Sequence, residues 1–287
     1  FDNPYKALMF VGGHDFFSNG NIAICTLHGD VWIVEGVKDR LERLKWRRFA
    51  TGLHQPLGLR ILDDKVHVLG RDQITRLHDR NNDGEADFYE CFNNDGAASV
   101  RGHDYAACLA TDPHGNFYYI RAHQGVCRVS ADGRRHEAIA TGFRNPIGLG
   151  VGPDGTITAA PQEGEWTPAS CIIEVKRGGY YGFGGPIVTP KRPLGYDPPL
   201  CWMPRQQDTS SGGQVWVSSD QWGTLKGHLL HLSYGRCEVM LVMREKVNGV
   251  AQGGTVKLPL RFSSGVMRGR FNPRDGHLYV SGMRGWQ

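Results

Sequence analysis

Short apolar runs recur along the whole chain, and residues that favour turns separate them. Residues 66–69 (VHVL) and 74–77 (ITRL) mix apolar with polar side chains, and residues 117–119 (FYY) form a continuous apolar run. The segments between such runs carry dipeptides such as Asp154-Gly155 and Asp275-Gly276. These residues supply the positive φ that tight hairpin turns require. The pattern therefore predicts an all-β protein with many turns.

One decamer occurs twice. Residues 50–59 read ATGLHQPLGL and residues 140–149 read ATGFRNPIGL, so the two copies begin about 90 residues apart. Two units in this interval give roughly 45 residues each, the size of a four-stranded propeller blade. Six such units fill the chain, which predicts a six-bladed β-propeller and a single domain over residues 1–287. A pair of β-sandwiches is the main alternative, and the repeat disfavours it.

Charge and length narrow the possible partners. The net charge is +4, and the basic residues are scattered except near residues 45–48, so a nucleic-acid partner has little support. No apolar run approaches the ~20 residues that span a bilayer. Residues 37–47 alone have a charged helical pattern. The chain begins at Phe1 and stops at Gln287 just after a strand-like run, so we expect it to be part of a longer or processed protein.

Seven cysteines are widely spread, without a C-x-x-C motif. Zinc-ribbon, redox-dithiol and covalent haem sites are therefore unsupported within this segment. The spacing favours buried thiols and leaves one or two disulfides open. The longest irregular stretch, residues 178–212, is rich in Gly and Pro, and a loop of this length is usually functional or ordered by a partner.

The most specific local motif is an acidic loop that follows the calcium-binding pattern D-x-[DN]-x-[DN]-G-x5-E. Calcium takes six to eight oxygen ligands, which alternate residues of a tight loop can supply, and Gly84 permits the sharp turn. Strand-like flanks predict a structural calcium loop between strands rather than an EF-hand. An acidic turn without an ion is the alternative. The predicted ligands are Asp79, Asn81, Asp83, Glu85, Asp87 and Glu90.

Polar residues stand where each unit starts its first strand, and in a propeller these positions converge on one mouth of the central channel. His103 is the candidate general base, because imidazole titrates near neutral pH. Arginines there can bind carboxylates or quinone oxygens in forked geometry. A structural histidine and inter-blade ion pairs are the alternatives. The strand starts are His14-Asp15, His54-Gln55, His103-Asp104, Arg144-Asn145, Ser210-Ser211 and Arg268-Gly269-Arg270.

Several of these stretches resemble one family. Residues 142–146 (GFRNP) resemble the cofactor-binding stretch of the soluble glucose, aldose and sorbosone dehydrogenase propellers that use pyrroloquinoline quinone (PQQ). His103, ahead of residues 109–118, resembles their catalytic histidine, and residues 211–213 (SGG) resemble another of their strand starts. Within the superfamily the chain most resembles large secreted dehydrogenase-like proteins of planctomycete-type bacteria.

The resemblance implies a catalytic role for His103 and cofactor binding by Arg144, Asn145, Arg268 and Arg270. It places calcium-binding carbonyl groups at residues 162–168. In the same stretch Glu163 and Glu165 offer carboxylates to a second cation or a cofactor, and a solvent-exposed loop is the alternative. Two positions depart from the family pattern: Ile147 stands where the family has glutamine, and Arg236 is the counterpart available for a cofactor-binding lysine.

Three functions remain open from the sequence. The first is a periplasmic or secreted quinoprotein that oxidises a sugar or other alcohol, with calcium-held PQQ as hydride acceptor and a cytochrome c as electron acceptor. The second is a non-enzymatic, calcium-stabilised propeller that acts as a binding or scaffold module in a cytochrome-containing assembly. The third is a calcium-dependent, lactonase-like hydrolase, for which the channel would need central carboxylates.

Overall fold

The structure, a computed structural model, describes residues 5–37 and 43–283. Within them the chain forms twenty-two β-strands and a short 3₁₀ helix at Asp220–Leu225, and the all-β prediction is confirmed. None of the helices in this part of the chain combines the length and apolar character needed to cross a bilayer. Of the segment with a helical pattern, residues 38–42 lie outside the described residues, and Lys45–Ala50 forms a strand.

The first three sheets are four-stranded antiparallel meanders in which each strand pairs with the next along the chain, because short turns join them. Their strands are β1 (Val11–Phe16), β2 (Ile22–Thr26), β3 (Val31–Glu35) and β4 (Lys45–Ala50); β5 (Gly58–Leu62), β6 (Lys65–Leu69), β7 (Ile74–His78) and β8 (Phe88–Asn93); and β9 (Ala107–Thr111), β10 (Phe117–Arg121), β11 (Gly125–Val129) and β12 (His136–Ala140).

Two more four-stranded sheets follow, and the sixth sheet has two strands within the described residues. The prediction of six blades therefore remains a prediction. The strands are β13 (Gly148–Val151), β14 (Ile157–Ala160), β15 (Ser170–Glu174) and β16 (Cys201–Met203); β17 (Ser211–Trp216), β18 (Leu229–Ser233), β19 (Glu238–Val247) and β20 (Val250–Arg261); and β21 (Arg268–Phe271) and β22 (Leu278–Ser281).

The sheets are arranged as a ring. The first strand of each sheet contacts the first strand of the next, and β21 of the last sheet contacts β1 of the first. These six inner strands surround a central channel, as in a β-propeller. We call the end of the channel where the inner strands begin the upper mouth, and the end where they finish the lower mouth.

Apolar side chains fill the gaps between neighbouring sheets. Leu59 and Val66 of the second sheet pack in one cluster with Ala23 of the first, and Phe16 of the first sheet packs near Tyr279 of the last. The ring is therefore held by the packing of one sheet face on the next, and the outer strands are left more exposed. Burial decreases from the channel outward, as in β1 compared with β4.

Glycines on the inner strands let the sheets approach each other closely at the axis. A Cβ added to Gly58 would lie 2.6 Å from the amide nitrogen of Leu109, and one added to Gly148 would lie 1.9 Å from the carbonyl oxygen of Gly212. No side chain fits at either position. The channel is consequently narrow, and its middle encloses a void of about 20 Å³.

The irregular stretch between β15 and β17 is held by Tyr180. Its amide donates a hydrogen bond to Asp197 Oδ2 over 2.8 Å, and its hydroxyl donates to the carbonyl of Phe183 over 2.9 Å. All seven cysteines lie in the described part of the chain and are free thiols; four are buried, as the favoured interpretation expects, whereas Cys91 is exposed and Cys201 and Cys237 are half-buried.

Candidate active site

The turns that lead into β5 and β13 have the same conformation, as the repeated decamer predicts. Gly52 and Gly142 have φ of 82° and 86°, and Gln55 and Asn145 have φ of 48° and 37°. Both pairs lie in the left-handed region, which glycine adopts freely and asparagine tolerates better than most residues. Each decamer thus forms a turn with two residues in the left-handed region, and this turn leads into the inner strand at the upper mouth.

Arg144 reaches across the upper mouth to the next loop. Its Nη1 donates to the carbonyl oxygen of Glu163 over 2.5 Å. Gly164 makes this approach possible, because its φ is 150° and an added Cβ would lie 2.2 Å from Arg144 Nε. The guanidinium therefore binds the carbonyl oxygen of Glu163, which lies in the stretch where the family resemblance expects calcium-binding carbonyls.

A pocket of about 320 Å³ opens beside this contact. Glu163 and Arg205 form an ion pair at its rim. Ser170 Oγ is buried and has no hydrogen-bond partner among the described residues, which leaves a hydroxyl ready to bind a ligand. The pocket thus offers a guanidinium, an amide and hydroxyl groups to an oxygen-rich ligand. Its lining residues are Gln162, Glu163, Ser170, Arg205, Thr209 and Ser210.

A fully buried polar cluster lies next to Thr209 and Ser210. Asp208 Oδ2 accepts from His231 Nε2 at 3.1 Å and from Ser211 Oγ at 2.5 Å, and its Oδ1 accepts from Ser233 Oγ. Burial by itself raises the pKa of Asp208, but the His231 imidazole and the two hydroxyls outweigh it and hold that pKa below its usual value. The cluster fixes the start of β17 against β18.

His103 is exposed in the segment that precedes β9. The next residue, Asp104, is buried: its Oδ1 accepts from the Ala122 amide over 3.1 Å, and its Oδ2 pairs with His123 Nδ1. Asp104 therefore anchors the segment and leaves the His103 imidazole on the solvent side.

Arg268 closes the channel just below the upper mouth. Its Nη1 donates to the carbonyls of Ile147 at 3.2 Å and Met267 at 3.0 Å, and its Nη2 donates to the carbonyl of Leu57 at 3.0 Å. Leu57 and Ile147 are equivalent positions of the two decamers. One guanidinium from the last sheet therefore ties both copies of the repeat together.

The remaining predicted cofactor residues lie apart from this pocket. Arg270 lies deeper in the channel, where its Nη2 donates to the carbonyl of Leu109 over 2.6 Å. Arg236 is exposed, and its amide donates to Ser233 Oγ over 3.3 Å. The structure brings Arg144 and Asn145 to the upper mouth, and it does not gather all five predicted residues around one pocket.

The prediction that all six strand starts line one mouth fails at the first sheet, because the polar pair there lies inside β1 rather than before it. His14 Nε2 donates to the carbonyl of Tyr279 over 3.2 Å, and its Nδ1 accepts from Ser281 Oγ at 2.8 Å. Burial, together with Arg270, lowers the pKa of His14 to about 4, so the ring is neutral near pH 7.

The predicted calcium loop is closed by its own hydrogen bonds. Asp79 Oδ2 accepts from the Gly84 amide at 2.9 Å, and Asp87 Oδ1 accepts from the Arg80 amide at 3.1 Å. Other contacts also remain inside the loop: Asp83 Oδ1 accepts from the Glu85 amide at 2.9 Å, and Asn81 Nδ2 donates to Asp83 Oδ2 at 2.9 Å.

Glu90, the predicted closing ligand, points away from the loop. Its carboxylate takes a forked pair of bonds from Arg76 at 2.7 and 2.8 Å and contacts His78 Nε2 at 2.7 Å. Asp79 Oδ1 is buried without a partner in the described part. No three His, Cys, Asp or Glu side chains in residues 5–37 and 43–283 form a metal-holding group. Glu90 does not close the loop in this conformation, and calcium binding there remains a prediction.

Sequence reasoning did not identify Asp208, His231, Ser170 or Arg205. Asp208 and His231 are 23 residues apart, and they meet only because β17 and β18 pair. Ser170 and Arg205 carry no motif, and they are neighbours in space through the long loop that joins their segments. A Ser-Ser pair at the start of β17 was the one sequence signal near this cluster.

No protein-family model and no curated protein matches the sequence. Solved structures do match it. A putative oxidoreductase (glucose dehydrogenase) from Thermus thermophilus has 20% identity and a TM-score of 0.71, over 96% of this chain and 90% of that one. The apo soluble aldose sugar dehydrogenase of Escherichia coli has 15% identity and a TM-score of 0.69, over 94% and 92%.

The holo PQQ domain of a pyranose dehydrogenase from Coprinopsis cinerea has 10% identity and a TM-score of 0.72, over 96% of this chain and 91% of that one. These likenesses confirm the expected resemblance at the level of fold. The chain has the β-propeller fold of the solved glucose and aldose sugar dehydrogenases. The closer likeness to planctomycete-type proteins remains a prediction.

Proposed function

We propose that this chain is an oxidoreductase domain that oxidises a sugar or another alcohol at the upper mouth of its channel. The observation that carries the proposal is the fold, which the chain shares over 92–97% of its length with solved glucose and aldose sugar dehydrogenases. The pocket beside Arg144 supports it, because its free hydroxyl and its guanidinium suit a hydroxylated substrate or an anionic cofactor.

The chemistry of this pocket fits a planar, oxygen-rich anion such as PQQ. To hold such a group, Arg205 would exchange its ion pair with Glu163 for the ligand, Gln162 and Ser210 would add hydrogen bonds, and Ser170 Oγ would gain the partner that it lacks. PQQ, when bound, supplies the hydride acceptor. The protein must orient the substrate and remove its hydroxyl proton. We assign the removal of this proton to the imidazole of His103, which acts as the general base.

Calcium beside the cofactor does not fit this arrangement, because the guanidinium of Arg144 already binds the Glu163 carbonyl at 2.5 Å. The proposed reaction accordingly involves no metal ion. A periplasmic or secreted location and a cytochrome c electron acceptor belong to the same proposal, and they rest on the family resemblance alone.

Reconstitution tests the proposal. The purified chain is mixed with PQQ, with and without calcium, and reduction of an artificial electron acceptor is measured with glucose and other aldoses. We expect a quinone absorbance band and substrate-dependent dye reduction. His103→Asn should lower kcat by about a hundredfold or more while the bound quinone band persists. His114→Asn, which changes an exposed histidine on a hairpin turn, is the matched control and should leave kcat unchanged.

Failure to bind the quinone and to reduce the dye would refute the oxidoreductase, as would full activity in His103→Asn. That outcome would favour the second candidate, a non-enzymatic binding or scaffold propeller. One observation supports this alternative: the guanidiniums of Arg144 and Arg268 are already committed to backbone carbonyls. A scaffold of this kind would show no redox chemistry with any aldose.

A further inference from the structure

A second cavity, of about 460 Å³, opens at the lower mouth. It lies at the ends of the inner strands, so it is on the opposite side of the ring from the pocket beside Arg144. Between the two mouths the channel encloses only about 20 Å³. A ligand at the lower mouth would therefore occupy a site of its own. Polar side chains reach it from several sheets, namely Asp15, Arg60, Thr111, Gln214 and Arg270.

Arg60 forms one wall of this lower cavity. Its Nη1 donates to Asp15 Oδ2 at 2.6 Å, and its Nε and Nη2 donate to Thr111 Oγ1 at 3.2 and 2.8 Å. Asp15 Oδ2 also accepts from the Ile61 amide at 2.8 Å. Because Thr111 Oγ1 accepts from Arg60, its own O–H is free to donate to a ligand.

Arg270 forms the floor. Its Nη2 donates to the Leu109 carbonyl at 2.6 Å, and no carboxylate binds its guanidinium in the described part of the chain. Burial, and the like charge of nearby Arg60, lower the pKa of Arg270 to about 10. The group is still cationic at neutral pH, and the carboxylate that acts on it electrostatically, Asp15, is hydrogen-bonded to Arg60 and shared between the two guanidiniums.

The charges of the lower cavity do not cancel. Arg60 and Arg270 are cationic, and Asp15 is the acidic residue among the described lining residues. Lys226 also lines the cavity, and it is paired with Asp220. One carboxylate therefore faces two guanidiniums. A buried charge is costly unless a counter-charge and hydrogen bonds compensate it, and here an anion in the cavity would complete the balance.

The rest of the lining suits an organic anion. Gln214 is 4% exposed, and its Oε1 has no hydrogen-bond partner among the residues described, so it can accept from a ligand hydroxyl. Trp216 and Phe271 add aromatic surface. Such a combination of cationic, hydroxyl-binding and aromatic groups is typical of pockets that take small polar organic molecules.

We propose that the lower mouth is a binding site for a small hydroxylated organic carboxylate, whose carboxylate group pairs with Arg270 and Arg60 and whose hydroxyls reach Thr111 and Gln214. The site is independent of the redox reaction at the upper mouth. It gives the propeller two faces with different ligands.

Isothermal titration of the chain with gluconate, without PQQ, tests this site. We expect one-to-one binding. Arg270→Gln should weaken it by about tenfold or more, because a charge-assisted hydrogen bond to the carboxylate is lost. Arg177→Gln is the control that removes the same charge from an exposed ion pair with Glu137, and it should bind gluconate as the wild type does.

A second variant guards against misfolding of Arg270→Gln. Ser218 lies at the edge of the cavity and is exposed, so Ser218→Trp should fold, fill the cavity and abolish gluconate binding while the channel charges remain. The absence of gluconate binding to the wild type, or equal binding by wild type and Ser218→Trp, would overturn the proposal. Phosphate binding as tight as gluconate binding would overturn its assignment to an organic carboxylate.

Discussion

Asp208 offers the sharpest test of the structure beside the upper mouth. The carboxylate is completely buried and accepts hydrogen bonds from His231, Ser211 and Ser233. The substitution Asp208→Ala removes the acceptor and leaves these three donors facing a small void. It also leaves the buried imidazole of His231 without its acceptor.

The cost can be estimated from these contacts. A buried donor that loses its partner costs about 1–3 kcal/mol, and the two serine hydroxyls recover part of this by rotating. Because the lost acceptor is a charged carboxylate, each of the three hydrogen bonds contributes about 1.5–3 kcal/mol. We therefore expect Asp208→Ala to reduce the free energy of unfolding by about 3–5 kcal/mol, which lowers Tm by about 6–10 °C in a chain of this size.

Urea titration monitored by tryptophan fluorescence measures the effect. Asp220→Ala is the control, because Asp220 forms an exposed ion pair with Lys226 in which its side chain is 86% exposed. Such a pair contributes about 1 kcal/mol or less. If the two variants lost equal stability, the buried cluster would not stabilise the fold as the hydrogen bonds imply.

The pH dependence of stability gives a second comparison, between the wild type and Asp208→Ala. The pKa of Asp208 is lowered in the folded state, so its contribution is fully present above the unfolded value of about 3.9 and disappears as the pH falls through the folded value. The stability difference between wild type and Asp208→Ala should therefore be constant from neutral pH down to about pH 5 and should shrink in more acidic solution. A difference that grew on acidification would contradict the assigned direction.

Gly148→Ala should cost about 2 kcal/mol or more, since its Cβ would lie 1.9 Å from the Gly212 carbonyl oxygen. Gly254→Ala, whose nearest neighbour is 4.0 Å away, should stay within about 0.5 kcal/mol of wild type in the same urea titration. Arg268→Met should lower the free energy of unfolding by about 2–4 kcal/mol. Three charge-assisted hydrogen bonds are lost, and removal of a buried charge offsets part of this loss. Unchanged stability would show that these bonds do not hold the two decamers together. If the acidic loop binds calcium, calcium at a hundred times Kd should add about 2.7 kcal/mol and Asp83→Ala should remove the gain, whereas a calcium-independent Tm in the wild type would refute a metal in the loop.

The repeat made most of the fold predictable. The two decamers keep Gly52 and Gly142 in register, and the structure gives them nearly the same φ, 82° and 86°. A few neighbouring residues determine the conformation of a turn. A repeated turn sequence therefore predicts a repeated turn conformation. The same local information predicted the hairpins and the closed arrangement of sheets.

The candidate site was less predictable because its contacts are not local. Arg268 bonds Ile147 across 121 positions of sequence, and nothing in the sequence distinguishes this from a cofactor contact. Glu90 matches the calcium pattern by spacing, but it lies on β8 and pairs across the sheet with Arg76. Motif spacing describes which residues are near along the chain, and strand pairing decides where they point.

The hydrogen bonds from Arg268 have a consequence for which residues the two decamers can carry. Its guanidinium donates hydrogen bonds to the carbonyl oxygens of Leu57 and Ile147. Every residue type offers the same carbonyl, so these bonds place no demand on the side chains. The packing does, because Leu57 is buried beside Tyr234 and Met267, and Ile147 packs against the same cluster. The glycines of each copy are limited by their backbone conformation, and the residues that Arg268 bonds are limited by the apolar packing around their side chains.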